Sequence, residues 1–447
     1  MTTASTLAQK LVARAAGRAE VTPGEIVTCG VDLAMFHDSS GPRRLKPMLE
    51  QLGASIWDPS RVVLVIDHYV PERDEESRRI VRIAREWAQE QRLPHVYDGQ
   101  GICHVVVPQH GHIRPGMFCV GGDSHSPTGG AFGAYMFGIG STEMLGVLVT
   151  GEIWLQVPRT IRMQWDGRLA LGVCAKDMML HMIGRFGMNG GQYQAVEFCG
   201  SAVQALGMNE RMTLANMSAE LGAQTGLIAP DGVTQEWLAR AAAPSAFSEG
   251  KKPVARSGRA QNAIDYIANT TLWQTDPGAE LGPDCTTHRF DAGTLAPQVA
   301  APHSPANAQV VSAFAGTPID VAYIGACTGA KLDDLRAAAQ VLRGYRVAPG
   351  VRLMVAPASL KDQEDARSEG VLQALQEAGA ELFPTACGAC AGYGDTLDDD
   401  VTVISSTARN FKGRMGSPSA QVYLGSPYTV AASALRGVIT DPREEMR

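Results

Sequence analysis

The hydrophobic and polar positions of this chain alternate between two periods, and that alternation predicts an α/β protein. Short, largely β-branched apolar runs have the character of buried parallel strands, and they lie at residues 26–29, 61–66, 321–325, 351–356 and 401–405. Amphipathic stretches with a helical period separate them, at about 44–52, 75–91, 177–186, 333–342 and 362–378. Strands that alternate with helices predict open parallel sheets, which bind ligands at the carboxyl ends of their strands.

Other segments have weaker patterns. Strand patterns also occur at residues 96–98 and 103–107. A helix over 208–221 would place Asn216 and Glu220 one turn apart on one face. Stretches rich in Pro, Ala and Ser with little periodicity, typical of long connections or a domain boundary, lie at about 241–261 and 275–307.

The first residues, 2–18, are basic, with no acidic residue before Glu20, which is compatible with a transit peptide. Their apolar residues also fall on one face of a helix, namely Leu7, Leu11, Val12 and Ala15. We therefore interpret this segment as an amphipathic first helix.

Composition narrows the classes of function. A chain of 447 residues is longer than a single hydrophobic core usually supports, so more than one domain is expected. Its 45% apolar and 19% charged residues are typical of a soluble globular protein. The net charge of −7, without a dense Lys/Arg block, disfavours nucleic-acid binding. No apolar run approaches the ~18 residues of a membrane span. Nine scattered cysteines, an odd number, indicate reduced thiols in the cytoplasm rather than a disulfide framework.

Three cysteines have a spacing that suits metal binding. Cys327 lies in a Gly-containing segment after a predicted strand, and Cys387 and Cys390 form a Cys-x-x-Cys pair sixty residues later. A [4Fe–4S] cluster normally takes four thiolates, so three would leave one iron open to water or substrate. A redox dithiol or half of a zinc site would have the same Cys-x-x-Cys spacing, and the spacing alone leaves these alternatives open.

Residues with acid–base chemistry recur at predicted strand ends and in Gly-rich turns. They are Asp67, His68, His104, Asp123, His125 and Glu220, with Ser124 between two of them. A lone histidine at such a position is more often structural. A neighbouring carboxylate changes that interpretation, because it fixes the imidazole tautomer and raises its basicity.

Two arginines, Arg409 and Arg414, lie in a segment near the C-terminus with a glycine between them. They fit either a solvated basic loop or a clamp in which guanidinium groups bind substrate carboxylates. Their spacing does not decide between the two.

In this order, these residues resemble the aconitase superfamily, and in particular large subunits of the 3-isopropylmalate dehydratase type, with homoaconitase and 2,3-dimethylmalate dehydratase as relatives. The resemblance runs nearly end to end and includes residues 22–25, 211–217, 222–231, 422–427 and 440–443. It implies an α/β architecture of three domains around a [4Fe–4S] cleft, lacking the swivelling small domain. With the Pro/Ala-rich connections, it places those domains at about 1–155, 156–310 and 311–447.

The resemblance implies a hydro-lyase that moves water across a hydroxy-dicarboxylate or tricarboxylate. The cluster ligands would be Cys327, Cys387 and Cys390. The catalytic residues would be Asp67, His68, His104, Asp123, His125 and Glu220. The substrate-binding residues would be Ser124, Asn216, Arg409 and Arg414. Hydroxide is a poor leaving group, so elimination needs a Lewis acid and a proton donor, and His68, oriented by Asp67, resembles that donor.

The base that removes the α-proton is a serine on the small domain of this family, and two-subunit members carry that domain on a separate polypeptide. The chain ends shortly after residues 440–443. We therefore expect a small-subunit partner that supplies the serine, and no activity for this chain alone.

Four positions depart from the family pattern. The usual Cys-Thr-Asn-x-Arg has Gly329 and Lys331 in place of Asn and Arg, the Gly before the paired cysteines is Ala386, and the Asn before the first clamp arginine is Ala408. Two polar amides are thus lost together, which predicts altered hydrogen bonding to the sulfurs or to the substrate. A shifted substrate specificity is the resulting hypothesis.

The resemblance favours an active large subunit that acts on a 3-isopropylmalate- or alkylmalate-type substrate. Alternatives are a homoaconitase-type or a dimethylmalate/maleate-type hydratase. A third interpretation, from a different class, is a cluster-bearing subunit without turnover, which Gly329 and Ala408 motivate.

Overall fold

The computed structural model describes residues 4–242 and 272–446. Among these residues the strands are β1 (Ile26–Gly30), β2 (Leu33–His37), β3 (Val62–Ile66), β4 (His95–Asp98), β5 (Phe118–Gly121), β6 (Tyr135–Gly138), β7 (Glu152–Gln156), β8 (Thr160–Asp166), β9 (Ala195–Cys199), β10 (Thr225–Leu227), β11 (Cys285–Asp291), β12 (Gln298–Ala300), β13 (Ala308–Val310), β14 (Val321–Ile324), β15 (Arg352–Val355), β16 (Glu381–Leu382), β17 (Thr402–Ser405) and β18 (Gln421–Gly425). The α-helices are α1 (Leu7–Ala15), α2 (Pro42–Leu52), α3 (Glu75–Glu90), α4 (Cys103–Gln109), α5 (Ser141–Thr150), α6 (Ala175–Phe186), α7 (Ser201–Ala205), α8 (Met208–Met217), α9 (Gly232–Ala242), α10 (Leu332–Leu342), α11 (Leu360–Ser368), α12 (Val371–Ala378) and α13 (Pro427–Arg436).

Most of these strands form three sheets with parallel neighbours. The first sheet has the order β4–β3–β2–β5–β6 and the second has the order β10–β9–β8–β11, and all pairs in both are parallel. The third has the order β13–β12–β18–β17–β14–β15–β16 and is parallel except where β12 pairs with its two neighbours. Strands β1 and β7 form a separate antiparallel ribbon. The predicted α/β class with parallel sheets is confirmed.

The hydrophobic core connects these sheets. Alternate residues of β3 enter two different apolar clusters, because a parallel strand is covered on both faces. One cluster joins Met35 and Val63 of the first sheet to Ile324 and Val355 of the third. The other packs α1, α2, α3 and α5 onto the opposite face of the first sheet. The predicted first helix is confirmed, and its apolar face is buried in this second cluster.

The prediction of a strand at 103–107 is wrong, since these residues begin helix α4. A short, continuously apolar run has no period that separates a strand from a buried helix. A contact remote in sequence decides the outcome, because the amide of Cys103 donates to Oδ2 of Asp67 at 2.7 Å at the start of the helix.

Three other predicted boundaries differ. Helix α8 ends at Met217, where the Ser218 hydroxyl donates to the carbonyl of Ala215 at 2.7 Å, so that Glu220 lies in the following turn. The helix predicted over 362–378 is two helices, α11 and α12, separated by Gly370 with a positive φ of 70°. The stretch 275–307 contains strands β11 and β12, and most of the predicted connection at 241–261 lies outside the described residues.

Strands β12 and β13 complete one edge of the third sheet although they precede residue 311. The domain boundaries 1–155, 156–310 and 311–447 stay a prediction. Among the described residues, no helix combines the length and the apolar character needed to cross a bilayer.

Candidate functional site

The candidate site lies where strands of the first and third sheets end. Residues 67–68 follow β3, and residues 123–125 come soon after β5. Cys327 follows β14, and residues 406–409 follow β17. Because these strands run parallel within each sheet, the segments lie at the carboxyl edges, where open α/β sheets place ligand-binding groups.

A buried carboxylate holds the imidazole of His68. Its Nδ1 lies 2.7 Å from Oδ1 of Asp67, whose Oδ2 is held by the Cys103 amide. Asp38 fixes the backbone here, since Oδ1 accepts the His68 amide at 3.0 Å and Oδ2 accepts the Tyr69 amide at 2.8 Å. Burial alone would lower the pKa of His68, but Asp67 and further carboxylates raise it to about 9. The imidazole is therefore protonated at neutral pH.

The carboxylate of Asp123 lies close to three histidines. Its Oδ1 lies 2.8 Å from Nε2 of His104 and accepts the amide of His125 at 2.7 Å. Its Oδ2 lies 3.5 Å from Nε2 of His37. Burial would raise the pKa of Asp123, but its charge interaction and hydrogen bond with His104, together with the nearby His37 and His125, hold it well below its usual range. His37 also stacks on His68 with ring centroids 3.8 Å apart, so the two groups of acid–base residues touch.

Glu220 connects His125 to Arg409. Its Oε1 lies 2.9 Å from Nε2 of His125 and accepts Nε of Arg409 at 2.5 Å. The carboxylate is completely buried, which would raise its pKa, but these two partners lower the pKa below the ordinary value of a glutamate. Glu220 follows α8 and Arg409 follows β17, so this one carboxylate joins two segments that are remote in the sequence.

The three thiols lie on two loops, Cys327 after β14 and the other two after β16. The side-chain amide of Asn216 donates to Sγ of Cys327 at 3.2 Å, and the backbone amide of Cys387 donates to the carbonyl of Asp67 at 3.0 Å. Burial raises the pKa of the Cys327 thiol to about 12. A hydrogen bond from Cys387, with nearby arginine and histidine charge, lowers the pKa of Cys390 to about 6 despite burial. The shift favours the thiolate, which is the form of cysteine that binds metal.

The spacing of these thiols fits a group larger than one metal ion. Sulfur ligands of a single zinc ion, at a Zn–S distance of about 2.3 Å, lie no more than about 4.6 Å apart. In the part of the chain that the structure describes, the groups of three or more metal-ligand atoms within 4.8 Å of one another contain only His and Asp. Two buried thiols and one half-buried thiol that do not form such a group fit a four-iron cluster with one iron left without a protein thiolate.

Besides Nε2 of His37, three buried polar atoms of the predicted site residues have no hydrogen-bond partner within residues 4–242 and 272–446. They are Oδ1 of Asn216, Oε2 of Glu220 and Nε of Arg414. Buried polar atoms are nearly always paired, and an unpaired one costs about 1–3 kcal/mol. Their occurrence beside the thiols and histidines indicates a site for a polar ligand, and the free Arg414 nitrogen suits an anionic one.

The structure explains two of the departures from the family pattern. A Cβ atom at Gly329 would lie 2.2 Å from Oγ of Ser406, so the serine occupies the space in which an asparagine would begin. The same hydroxyl accepts the amide of Gly325 at 2.9 Å. Lys331 is buried, and its Nζ donates to the Cys327 carbonyl at 2.9 Å and to Oδ2 of Asp334 at 2.8 Å. Both residues thus support the Cys327 loop.

The Gly329→Ala substitution is expected to lower the free energy of unfolding by about 1–3 kcal/mol, because the added methyl group overlaps Ser406 in a packed interior. Ser406→Gly removes the Oγ and Cβ atoms that the new Cβ would meet at 2.2 and 2.3 Å, although the Ser406 carbonyl oxygen at 2.5 Å remains. The double variant should therefore lose less stability than the two single effects predict together, while it stays less stable than the wild type. Denaturant unfolding of the four proteins measures this coupling. Additive effects would show that the two side chains do not compete for space.

The structure brings the predicted acid–base residues, arginines and thiols close together, and Ser124 is exposed beside them. Three neighbouring residues were not predicted. His37 is the last residue of β2 and Asp38 follows it, at the same sheet edge as Asp67, and their position at the end of an apolar strand was a usable signal. Lys176 contacts both the Cys327 loop and the Arg409 loop from helix α6, and no local pattern marks it.

Comparison with known proteins assigns the class. The model of the "Aconitase family (aconitate hydratase)" matches residues 9–317 and 312–437. The chain therefore belongs to the aconitase family. It is a hydro-lyase of that family, whose members generally carry a [4Fe–4S] cluster.

Within the family, the chain is similar to proteins named as large subunits. The "3-isopropylmalate dehydratase large subunit 1" of Methanopyrus kandleri is 41% identical over 98% of this chain and 99% of that relative. The "Probable methanogen homoaconitase large subunit" of Methanothermobacter thermautotrophicus is 38% identical over 98% of each chain. Among solved structures, holo aconitase X of Thermococcus kodakaraensis covers 87% of each chain, with a TM-score of 0.48 and 13% identity.

Proposed function

We propose that this chain is the large subunit of a [4Fe–4S] hydro-lyase that removes and adds water on a hydroxy-dicarboxylate, with an alkyl-substituted malate of the 3-isopropylmalate type as substrate. The observation that carries the proposal is the proximity of a protonated His68, the Asp123 histidine group, the arginines and three thiols, two of them buried and one half-buried. The similarity to 3-isopropylmalate dehydratase large subunits over nearly the whole chain supports the substrate class.

Cys327, Cys387 and Cys390 would hold the cluster. When bound, the cluster supplies a Lewis acid that polarises the substrate hydroxyl. The Asn216 amide at the Cys327 sulfur and the Lys331 ammonium at the Cys327 carbonyl keep this loop in place. Loss of such a contact around a metal ligand typically lowers metal affinity or activity about 10–100-fold.

His68 is the proposed proton donor to the departing hydroxyl. Its pKa of about 9 keeps the proton on the ring at neutral pH, and Asp67 orients the ring through Nδ1. Nε2 is then the atom that can deliver the proton. A positioned general acid of this kind contributes about 10²–10⁴-fold to the rate.

Arg409 and Arg414 are the proposed carboxylate-binding groups. Glu220 holds Arg409 through Nε, which leaves the terminal nitrogens of the guanidinium group for a substrate carboxylate. The unpaired Nε of Arg414 would find its partner in the second carboxylate. Ser124 and Asn216 would add hydrogen bonds, and His104 with Asp123 would hold the water beside the cluster.

A small subunit is the proposed partner, because the relatives that match nearly the full chain are named large subunits. We propose that it supplies the serine that removes the α-proton. The chain purified alone is therefore expected to bind its cluster but to show no turnover, and addition of the small subunit should start the reaction. Steady-state assays of the chain with and without its partner test this, and turnover by the isolated chain would contradict it.

The substrate class is tested by anaerobic reconstitution of the complex and assay against substituted malates, maleates and hydroxy-tricarboxylates. The proposal expects the highest kcat/KM for an alkylmalate. A preference for a hydroxy-tricarboxylate would favour the second candidate, a homoaconitase-type hydratase, which the similarity to the methanogen homoaconitase large subunit supports. Preference for a dimethylmalate or maleate would indicate a dimethylmalate/maleate-type hydratase instead. A loaded complex without turnover on any of these acids would favour a subunit that binds the cluster without catalysis.

A further inference from the structure

Lys176 is the second residue of helix α6, and its side chain is 1% exposed. Its Nζ donates to the carbonyl oxygens of Ser406 at 2.7 Å and Thr407 at 2.8 Å, and lies 3.4 Å from Oγ1 of Thr328. Thr328 follows Cys327 in the chain, and the two carbonyls precede the segment of Arg409. One ammonium group thus contacts the loop of a proposed cluster ligand and the loop of a proposed substrate arginine.

This arrangement is costly in three ways. Burial of an ammonium group is unfavourable without a charged partner, and burial lowers the pKa of Lys176 to about 8. A cation in the first turn of a helix also opposes the helix dipole. Finally, no carboxylate of the described residues lies within 4.0 Å of Nζ, whereas the buried Lys331 has Asp334 at 2.8 Å. A sequence that breaks local rules at one position usually does so at a functional site.

We propose that Lys176 is a positioning residue that fixes the Cys327 loop and the Arg409 loop relative to each other. Two consecutive carbonyls bind the same nitrogen, so the chain at 406–407 is turned toward α6. That turn precedes Arg409, whose Nε reaches Glu220. The Thr328 hydroxyl donates to the Ser406 carbonyl at 3.1 Å, which ties the second loop to the same point.

The inference rests on the proposed function for the identity of the two loops, but its first test needs neither cluster nor partner. Hydrogen–deuterium exchange of the full chain is compared for the wild type, Lys176→Met and Lys176→Gln. Lys361→Met, a change of an exposed lysine in helix α11, is the control. In Lys176→Met, amides at 326–330 and 406–410 should exchange about 10–100-fold faster, because buried carbonyls lose their donor. Gln retains two donors and should have a smaller effect.

The second test separates positioning from general stability. In the reconstituted complex, Lys176→Met is expected to raise KM about 10–100-fold per loaded cluster, since the substrate arginine moves relative to the cluster loop. A merely structural lysine would lower the loaded fraction and leave the KM of the loaded enzyme unchanged.

The proposal is overturned if exchange in the two loops is unchanged, if the KM of the loaded enzyme is unchanged, or if faster exchange is confined to α6. Failure of both variants to fold would also overturn it, because it would assign Lys176 to stability of the fold. If the wild-type complex does not turn over, the proposed function fails, while the exchange result still decides the role of Lys176.

Discussion

An anaerobically reconstituted complex that carries Cys390→Ala is expected to lose its visible iron–sulfur absorbance and at least about 10³-fold of its turnover. The chain offers three thiols at this site, one fewer than a cluster normally uses, so none can be spared. Cys327→Ala and Cys387→Ala should behave alike. Removal of iron from the wild-type complex with a chelator should give the same loss, and readdition of iron and sulfide should reverse it.

The matched control is Cys119→Ala. Cys119 is completely buried on strand β5, and it lies outside the candidate site. The variant should keep both its absorbance and its activity while it loses some stability, because a core side chain becomes smaller. Full absorbance and iron content in Cys390→Ala would refute the proposed set of ligands. A colourless wild-type protein that contains zinc would refute the cluster itself.

The His68→Asn complex is expected to lose about 10²–10⁴-fold in kcat, with a smaller change in KM, because the substituted amide has no proton to transfer. In the wild type, the pKa of His68 lies above the ordinary value of histidine, at about 9. The reactive form is protonated and is complete well below that pH. The kcat of dehydration should therefore fall as the pH rises through about 9, and the variant should lack this step.

His288→Asn is a suitable control for that measurement, since His288 is a half-buried histidine on β11 outside the candidate site. Its pH profile should match that of the wild type. A fall in kcat at high pH that persists unchanged in His68→Asn would assign the titration to another group. Equal kcat in the wild type and in His68→Asn would show that His68 is not the proton donor.

The strand ends of the site could be predicted from the sequence because they depend on local pattern. Residues 62–66 are apolar on both faces of a strand, so Asp67 had to emerge at a carboxyl edge. The thiols, the arginines and the histidines were found through motif order rather than through periodicity. The resemblance paired His125 with Glu220. The contact of Glu220 with Arg409 was not predicted, because it joins residues 189 positions apart in the sequence.

Contacts between residues remote in sequence explain most of what was missed. Helix α4 begins with the help of a carboxylate 36 residues earlier, and such a partner leaves no trace in a short apolar run. Lys176 reaches carbonyls 230 and 231 residues away, so its burial has no local signature. Gly329 looked like the loss of a polar group, and only the position of Ser406 reveals that a glycine is required there.

The hydrogen bond from Asn216 to the Cys327 sulfur and that from the Cys387 amide to the Asp67 carbonyl join thiol loops after β14 and β16 to two earlier parts of the chain. The three thiols are consequently brought together only once the loops after β14 and β16 have packed against the segments that carry Asn216 and Asp67. A cluster held by all three would then enter a chain that has already folded.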